Sequence, residues 1–447
     1  MKDEKFIKAQ WRFIAFSAIS YAFFYIARKN LSMAQPAMLE EGVISTYALG
    51  VIMTVHGVLY GLSRFINGFW ADRLNGRIFM AVGLVLSAAT NFFFGCSSLT
   101  LFFAVFWILN GWTQGMGFPP CAKMLAHWIH PKELATKMSV WNASHSVGAV
   151  LALGLCSALF ALGLGWRWCF WVPAALAVAA AVFTFFCVKE TPVEAGLPPL
   201  DVGNRESASA KATADERGTS NGKKNEGLTA AERRRLVFGN RVIWLVALAN
   251  FFVYVVRFGF LDWGPTFLKQ MKGIPVAKGG LMIIAFELAA VIGTIVAGWA
   301  TDKVFKGRGC RTGVIFMLFA ALFAFGFWSL PSGAPVWQAT LLLMGAGFCI
   351  YGPQALTGII VANQATKEAA ALATGFAGIM GYLSTTVSGI GIAFIKERFG
   401  WGVALCSIAA FAIVGMALFL FAWSAKADGY ASKANGNTNT TKEKDNA

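Results

Sequence analysis

The sequence predicts an all-α integral membrane protein: twelve transmembrane helices in two pseudo-symmetric halves of six. Three observations carry that expectation. Of 447 residues, 57% are apolar and only 13% charged, against roughly 45–50% and about 25% in an ordinary soluble domain. Twelve apolar stretches have the ~20-residue length that a helix needs to cross a bilayer. Lys and Arg gather in alternate connections between those stretches. The composition excludes a soluble multi-domain enzyme and a disordered chain.

The stretches run over 13–38, 47–71, 77–96, 100–124, 138–162, 167–188, 240–268, 279–301, 312–330, 336–362, 370–395 and 401–424. The first follows Lys2, Lys5, Lys8 and Arg12. It continues through Arg28-Lys29 to Pro36 with no small-residue cleavage site, and reads as an uncleaved span rather than a signal peptide. In the eighth, Ala289, Gly293 and Ala297 recur every fourth residue, a smooth face on which another helix packs closely in lipid.

With both termini cytoplasmic, the inner segments hold 28 basic residues and the outer ones 6. Short basic loops stay inside, so this topology is the expected one. It also explains most of the net charge of +16 without invoking nucleic acid. Eight cysteines without a C-x-x-C pair read as small reduced hydrophobes, not as a disulfide frame or metal site.

Residues 190–239 interrupt the pattern. From Asn204 to Gly227 the chain is rich in Ser, Ala, Gly, Lys and Glu and has no apolar period, which predicts a flexible cytoplasmic linker. It separates an N-terminal half, 1–189, from a C-terminal half, 240–425. A polar tail, 426–447, is expected to be disordered. The halves echo each other: Gly68-Phe69-Trp70-Ala71-Asp72-Arg73 and Gly298-Trp299-Ala300-Thr301-Asp302-Lys303 stand 230 residues apart, and Tyr25 and Arg28 precede Tyr254 and Arg257 by 229. Parallel six-helix repeats are a transporter plan, with substrate bound near the midplane between halves. Asp72 and Asp302, beside Arg73, Arg77, Lys303 and Arg308, suit a latch at the cytoplasmic face; interfacial anchoring is the alternative.

Four basic residues lie within spans: Arg28, Lys29, Arg64 and Arg257. A basic side chain near the bilayer centre costs at least roughly 2.5–3.5 kcal/mol, so it faces a cavity or a partner. Tyr21, Tyr25 and Arg28 share one helix face; Tyr254 precedes Arg257, and Tyr60 precedes Arg64, by about one turn. The acids available inside spans, Glu287 and Asp262, are too few to neutralise every arginine. Surplus positive charge in a cavity asks for an anion, and the planar guanidinium fork matches phosphate oxygens. The alternative is that each arginine snorkels or pairs with Glu287 or Asp262. Lys29, adjacent to Arg28, is expected to point elsewhere. His145, inside the fifth span, suits either an anion site or a structural hydrogen bond. His127 and His130 resemble a metal pair only weakly, and His56 shows no partner.

Certain longer runs carry a family resemblance: Tyr25-Ile26-Ala27-Arg28-Lys29-Asn30, Gly111-Trp112-Thr113-Gln114-Gly115-Met116-Gly117-Phe118-Pro119-Pro120, Ser139-Val140-Trp141-Asn142-Ala143-Ser144-His145, Leu261-Asp262-Trp263-Gly264-Pro265-Thr266 and Tyr351-Gly352-Pro353. Together with the Gly-x-x-x-Asp-basic loops they resemble the organophosphate:phosphate antiporters of the major facilitator superfamily, over nearly all the chain except linker and tail. The resemblance implies that Arg28 and Arg257 hold phosphate. It also implies that His145, Tyr21, Tyr25, Tyr60, Tyr254, Tyr351 and Tyr382 line the cavity. Arg64 stands where glycerol-3-phosphate members carry lysine, while Gln354 is a trait of the hexose-phosphate side.

The function expected is a secondary antiporter in a bacterial inner membrane. It would exchange inorganic phosphate for glycerol 3-phosphate or a hexose 6-phosphate by alternating access, as a monomer in the lipid bilayer. No covalent chemistry or cofactor is expected, and no G-x-x-x-x-G-K-[ST] loop suggests ATP as the drive. The rivals are a sugar-phosphate sensor of the same fold acting with a membrane kinase, and a membrane enzyme acting on phosphorylated lipids.

Overall fold

The computed structural model describes residues 2–130, 137–138, 140–199, 229–331, 333–365 and 369–425. The linker core Asn204–Gly227 and the tail 426–447 lie outside the described residues, as does Lys367. The N-terminal helices are α1 (Lys2–Glu40), α2 (Thr46–Arg73), α3 (Gly76–Cys96), α4 (Thr100–Gln114), α5 (Phe118–Trp128), α6 (Ser144–Ala161) and α7 (Trp168–Cys187). After the linker come α8 (Ala230–Phe238), α9 (Arg241–Lys272), α10 (Val276–Trp299), α11 (Gly309–Ser329), α12 (Val336–Gln364), α13 (Ala370–Leu383) and α14 (Ile392–Phe421).

Among the described residues, nine helices are long and apolar enough to cross a membrane. One of them, Leu372–Phe421, runs for 50 residues. Gly400, at φ 81°, breaks its helical path, so it supplies two crossings. The helix α1, which carries the intramembrane Arg28 and Lys29, and the α4–α5 pair complete twelve.

Two elements differ from expectation. The fourth span, expected unbroken over 100–124, divides at Gly115-Met116-Gly117. Pro119 and Pro120 begin the second piece, where a missing backbone N–H costs nothing. The division serves packing: a side chain at Gly117 would meet the Phe24 ring 3.1 Å away, and one at Gly115 would strike the Ser63 hydroxyl. Second, the stretch 190–239 is structured at both ends, with a short turn at Val193–Ala195 and the helix α8. A capping box of Thr229 and Glu232 starts α8. Phe238 closes it against Phe376, at a ring separation of 5.3 Å.

Small residues bring helices together. A side chain on Gly293 of α10 would strike the Phe348 carbonyl of α12, and Ala297 packs under Gly352. Both α1 and α9 carry an internal proline, Pro36 and Pro265, 229 residues apart like their arginines. Six-helix units meet mainly along α1 with α9, α6 with α10, and α2 with Val387–Gly391.

The bonds joining them gather toward the C-terminal end of α1 and the N-terminal end of α2. Thr266 donates to Gln35, and Lys269 pairs with Glu40 at 3.0 Å. Thr54 donates to the Thr385 carbonyl at 2.9 Å and accepts from the Ile390 N–H at 3.0 Å. Lys396 donates to Thr46, and the Tyr47 N–H to Glu397. These bonds seal that end, and a cavity between the units lies on the other side of the seal.

Candidate functional site

The cavity holds about 290 Å³. From the N-terminal unit α1 contributes Tyr21, Tyr25, Arg28 and Lys29, α2 contributes Arg64, and α5 contributes Phe118. Asn142 and His145 enter from the start of the fifth crossing. The C-terminal unit supplies Tyr254, Arg257 and Phe258 from α9, Gln354 from α12 and Tyr382 from α13.

Tyrosine rings set each arginine. The Arg28 guanidinium carbon lies 3.9 Å from the centre of the Tyr60 ring and 5.7 Å from that of Tyr25. Arg257, 9% exposed, lies 4.4 Å over the Tyr351 ring and 5.8 Å over Tyr254. These are cation–π distances, and they orient a planar cation without neutralising it. Tyr351 donates to Glu287 Oε1 at 2.7 Å, so the buried carboxylate acts on Arg257 through a phenol. The Arg257 Nε has no hydrogen-bond partner among the described residues. Among the described residues, neither Arg28 nor Arg257 forms an ion pair.

Arg64 lies 4.1 Å over Phe118 and donates Nη1 to the Tyr382 hydroxyl at 2.9 Å, bridging the two units. Tyr60 and Tyr382 meet edge to face at 5.3 Å. Tyr60 and Tyr351 therefore stand behind the arginines rather than in the cavity wall. The His145 Nδ1–H donates to the Asn142 carbonyl, and its ring lies 5.6 Å from Tyr25. The Gln354 amide donates to Tyr254 at 3.3 Å, and among the described residues its Oε1 has no partner.

Lys29 departs from expectation. It lines the cavity beside Arg28 and pairs with Asp262 Oδ1 of the other unit at 3.0 Å. Neighbouring residues diverge by about 100° on a helix, and the cavity is wide enough to take both. The span acid Asp262 was the available signal, since it needs a partner. The other overlooked residue is His56, which is buried, stacks on Trp107 at 5.2 Å and donates Nδ1–H to the Trp107 carbonyl at 2.9 Å. Among the described residues its Nε2 has no partner, and the residue borders a small space of about 50 Å³ beside Arg28 and Lys29, toward the sealed side.

Four cations thus line the central space, Arg28, Lys29, Arg64 and Arg257, and among the described residues one carboxylate, Asp262, pairs with one of them, Lys29. The surplus is positive and drawn from both units. The expected latch residues lie elsewhere: Asp72, Arg73, Asp302 and Lys303 are exposed and, among the described residues, unpaired. Arg77 is half-buried and sits 5.5 Å over the Phe185 ring. All eight cysteines are free. Among the described residues no His, Cys, Asp and Glu cluster would hold a metal.

The profile of the Major Facilitator Superfamily matches residues 17–389. The chain is 36% identical to the "Glycerol-3-phosphate transporter" of Bacillus subtilis, over 90% of each chain. It is 34% identical to a "Probable hexose phosphate transport protein" of Chlamydia pneumoniae, over 97% of this chain and 96% of that one. It is also 34% identical to the "Membrane sensor protein UhpC" of Escherichia coli, over 86% of each. A solved bacterial homologue of the lysosomal transporter Spinster shares the fold at TM-score 0.70 and 17% identity, covering 94% of this chain and 96% of its own. The chain belongs to the Major Facilitator Superfamily and, within it, to the organophosphate:phosphate antiporter family.

Proposed function

We propose that this protein exchanges inorganic phosphate for a phosphorylated metabolite, glycerol 3-phosphate or a hexose 6-phosphate, across a bacterial inner membrane with both termini cytoplasmic. One observation carries the reading: Arg28 and Arg257, one from each six-helix unit, face a single cavity without an ion-pair partner among the described residues. A phosphate between them would be bound by two guanidinium forks, with Arg64, His145 and the tyrosine hydroxyls completing its donors. The relatives named as glycerol-3-phosphate and hexose phosphate transporters support the substrate class.

In this topology the sealed end is external and the cavity faces the cytoplasm. Substrate neutralises the repulsion between the arginines and draws the units together around it. That lowers the barrier to rocking, and the inner end closes as the outer end opens. Asp72, Arg73, Arg77, Asp302 and Lys303 would then latch the cytoplasmic face in the outward-open state. The same two arginines would serve a free phosphate and a phosphomonoester in turn, and the phosphate gradient would drive the exchange.

The test is uptake of labelled glycerol 3-phosphate and glucose 6-phosphate into liposomes. Uptake should require phosphate trapped inside. Equal uptake into phosphate-free vesicles would overturn exchange. Binding without uptake of either compound would favour the second reading, a sugar-phosphate sensor, which the likeness to UhpC supports.

A further inference from the structure

A second crevice lies at one end of the bundle, on the flank of the N-terminal unit. It holds about 250 Å³ between the start of α1, Trp128 at the end of α5, the end of α7 and the turn at Val193–Ala195. Arg12 and Lys189 bring positive charge to it; Phe13, Phe16 and Phe186 give it apolar walls. We infer that this crevice binds an anionic phospholipid, with Arg12 and Lys189 on the headgroup phosphate and the phenylalanines against the upper acyl chain.

The charge has no internal answer. Among the described residues, Arg12 and Lys189 form no ion pair. The carboxylates that follow Lys189 in sequence have contacts of their own. Glu190 pairs with Lys123 at 2.8 Å, while Glu194 accepts from the Glu190 N–H and from Asn75. Among the described residues no carboxylate lines the crevice, which favours an anionic lipid over a zwitterionic one.

The crevice is also built in advance. Trp128 is 1% exposed and stacks on Phe13 at 5.0 Å. Its indole N–H donates to the Lys189 carbonyl at 3.0 Å, and its own carbonyl accepts from Gln10 at 2.6 Å. A braced site loses less entropy on binding.

Its position favours lipid over a soluble anion. On α1, Phe16 stands about 140° around the helix from the cavity residue Tyr21, at 100° per residue. The same flank exposes Ile19, Phe185 and Phe186, the last to 67%. Basic residues at the end of an apolar belt meet phospholipid headgroups. The site is separate from the transport cavity and does not depend on the transported substrate.

The test uses the full chain in a neutral detergent, with retained lipid counted by native mass spectrometry. Phosphatidylglycerol and phosphatidylcholine of equal chain length compete. The wild type should prefer phosphatidylglycerol, and Arg12→Gln and Lys189→Gln should each weaken its retention about five-fold, the effect of removing one basic residue near a lipid surface. Arg12→Lys should retain most of it. A wild type without the preference would overturn the proposal, whatever the variants do. So would variants that bind phosphatidylglycerol as the wild type does. Glycerophosphoglycerol, the same headgroup without acyl chains, should not compete at equal concentration; if it competes equally, the site is one for soluble anions.

Discussion

Lys29 of α1 and Asp262 of α9 form an ion pair, Nζ to Oδ1 3.0 Å, that joins the two six-helix units beside Arg28. It sits where the central cavity meets the sealed end, since both residues also border the small space around His56. Both side chains are half-buried, so removing one partner leaves a partly screened charge, at a cost below the roughly 3–5 kcal/mol of a fully buried pair. Lys29→Ala and Asp262→Asn should each lower the thermal midpoint in detergent. The double variant should lose less than the sum of the two, because both changes delete one interaction. Additive losses would show that the pair does not hold the seal.

Arg28→Lys and Arg257→Lys keep charge but lose the planar fork. Each should weaken phosphate binding by at least about 1.5–3 kcal/mol, the worth of one charge-assisted hydrogen bond. That is about ten-fold to more than a hundred-fold in Kd, read by calorimetry or tryptophan fluorescence. The double variant should be less impaired than the sum. Lys8→Ala, exposed and paired only with Glu4, is the control. Near-native affinity in either arginine variant would remove that residue from the site.

Tyr382→Phe deletes the hydroxyl that accepts from Arg64. Exchange should slow by about ten-fold if one charged hydrogen bond is lost. Combined with Arg64→Ala, it should add little. A Tyr382→Phe protein with native rates would confine the phenol to packing.

His145→Ala removes an imidazole from the cavity wall and frees the Asn142 carbonyl. Exchange should weaken by up to about ten-fold, the range of one neutral hydrogen bond, and its pH profile should change while expression holds. An unchanged rate, affinity and profile would return His145 to a structural role.

Gly293→Val should destabilise the C-terminal unit by at least about 1–3 kcal/mol, because the new side chain meets the Phe348 carbonyl. Gly298→Ala, in open space five residues on, should have little effect. Equal thermal midpoints for the two would argue against close α10–α12 contact.

The crossings were legible because each is a hydropathy block with a length fixed by the bilayer. The break in the fourth was not: Gly115 and Gly117 sit in an apolar run, and the reason for the turn lies in Phe24 and Ser63, far away in sequence. Arg28 and Arg257 stood out because an arginine inside a span is expensive and because they recur at the repeat offset. Lys29 was not legible, because a cavity wide enough to take two neighbouring helix positions does not follow from a single helix face. The His56 contact left no trace, since its partner is the backbone carbonyl of Trp107 on another helix. The ordered start of α8 is local chemistry, the Thr229–Glu232 cap, hidden by the polar segment before it.

The matched prolines give the arginines a mechanical property. Pro36 and Pro265 each lie 8 residues beyond an arginine on the same helix, or about 12 Å along the axis. Proline lacks the N–H that would bond one turn back, so these are the points where α1 and α9 flex most easily. A bend of ~10° at such a point, on a ~12 Å lever, displaces a guanidinium by ~2 Å. Two such levers moving oppositely change the gap by ~4 Å, more than the length of a hydrogen bond. Small flexures at the two prolines would therefore suffice to grip or release one phosphate, with no need to unfold either helix.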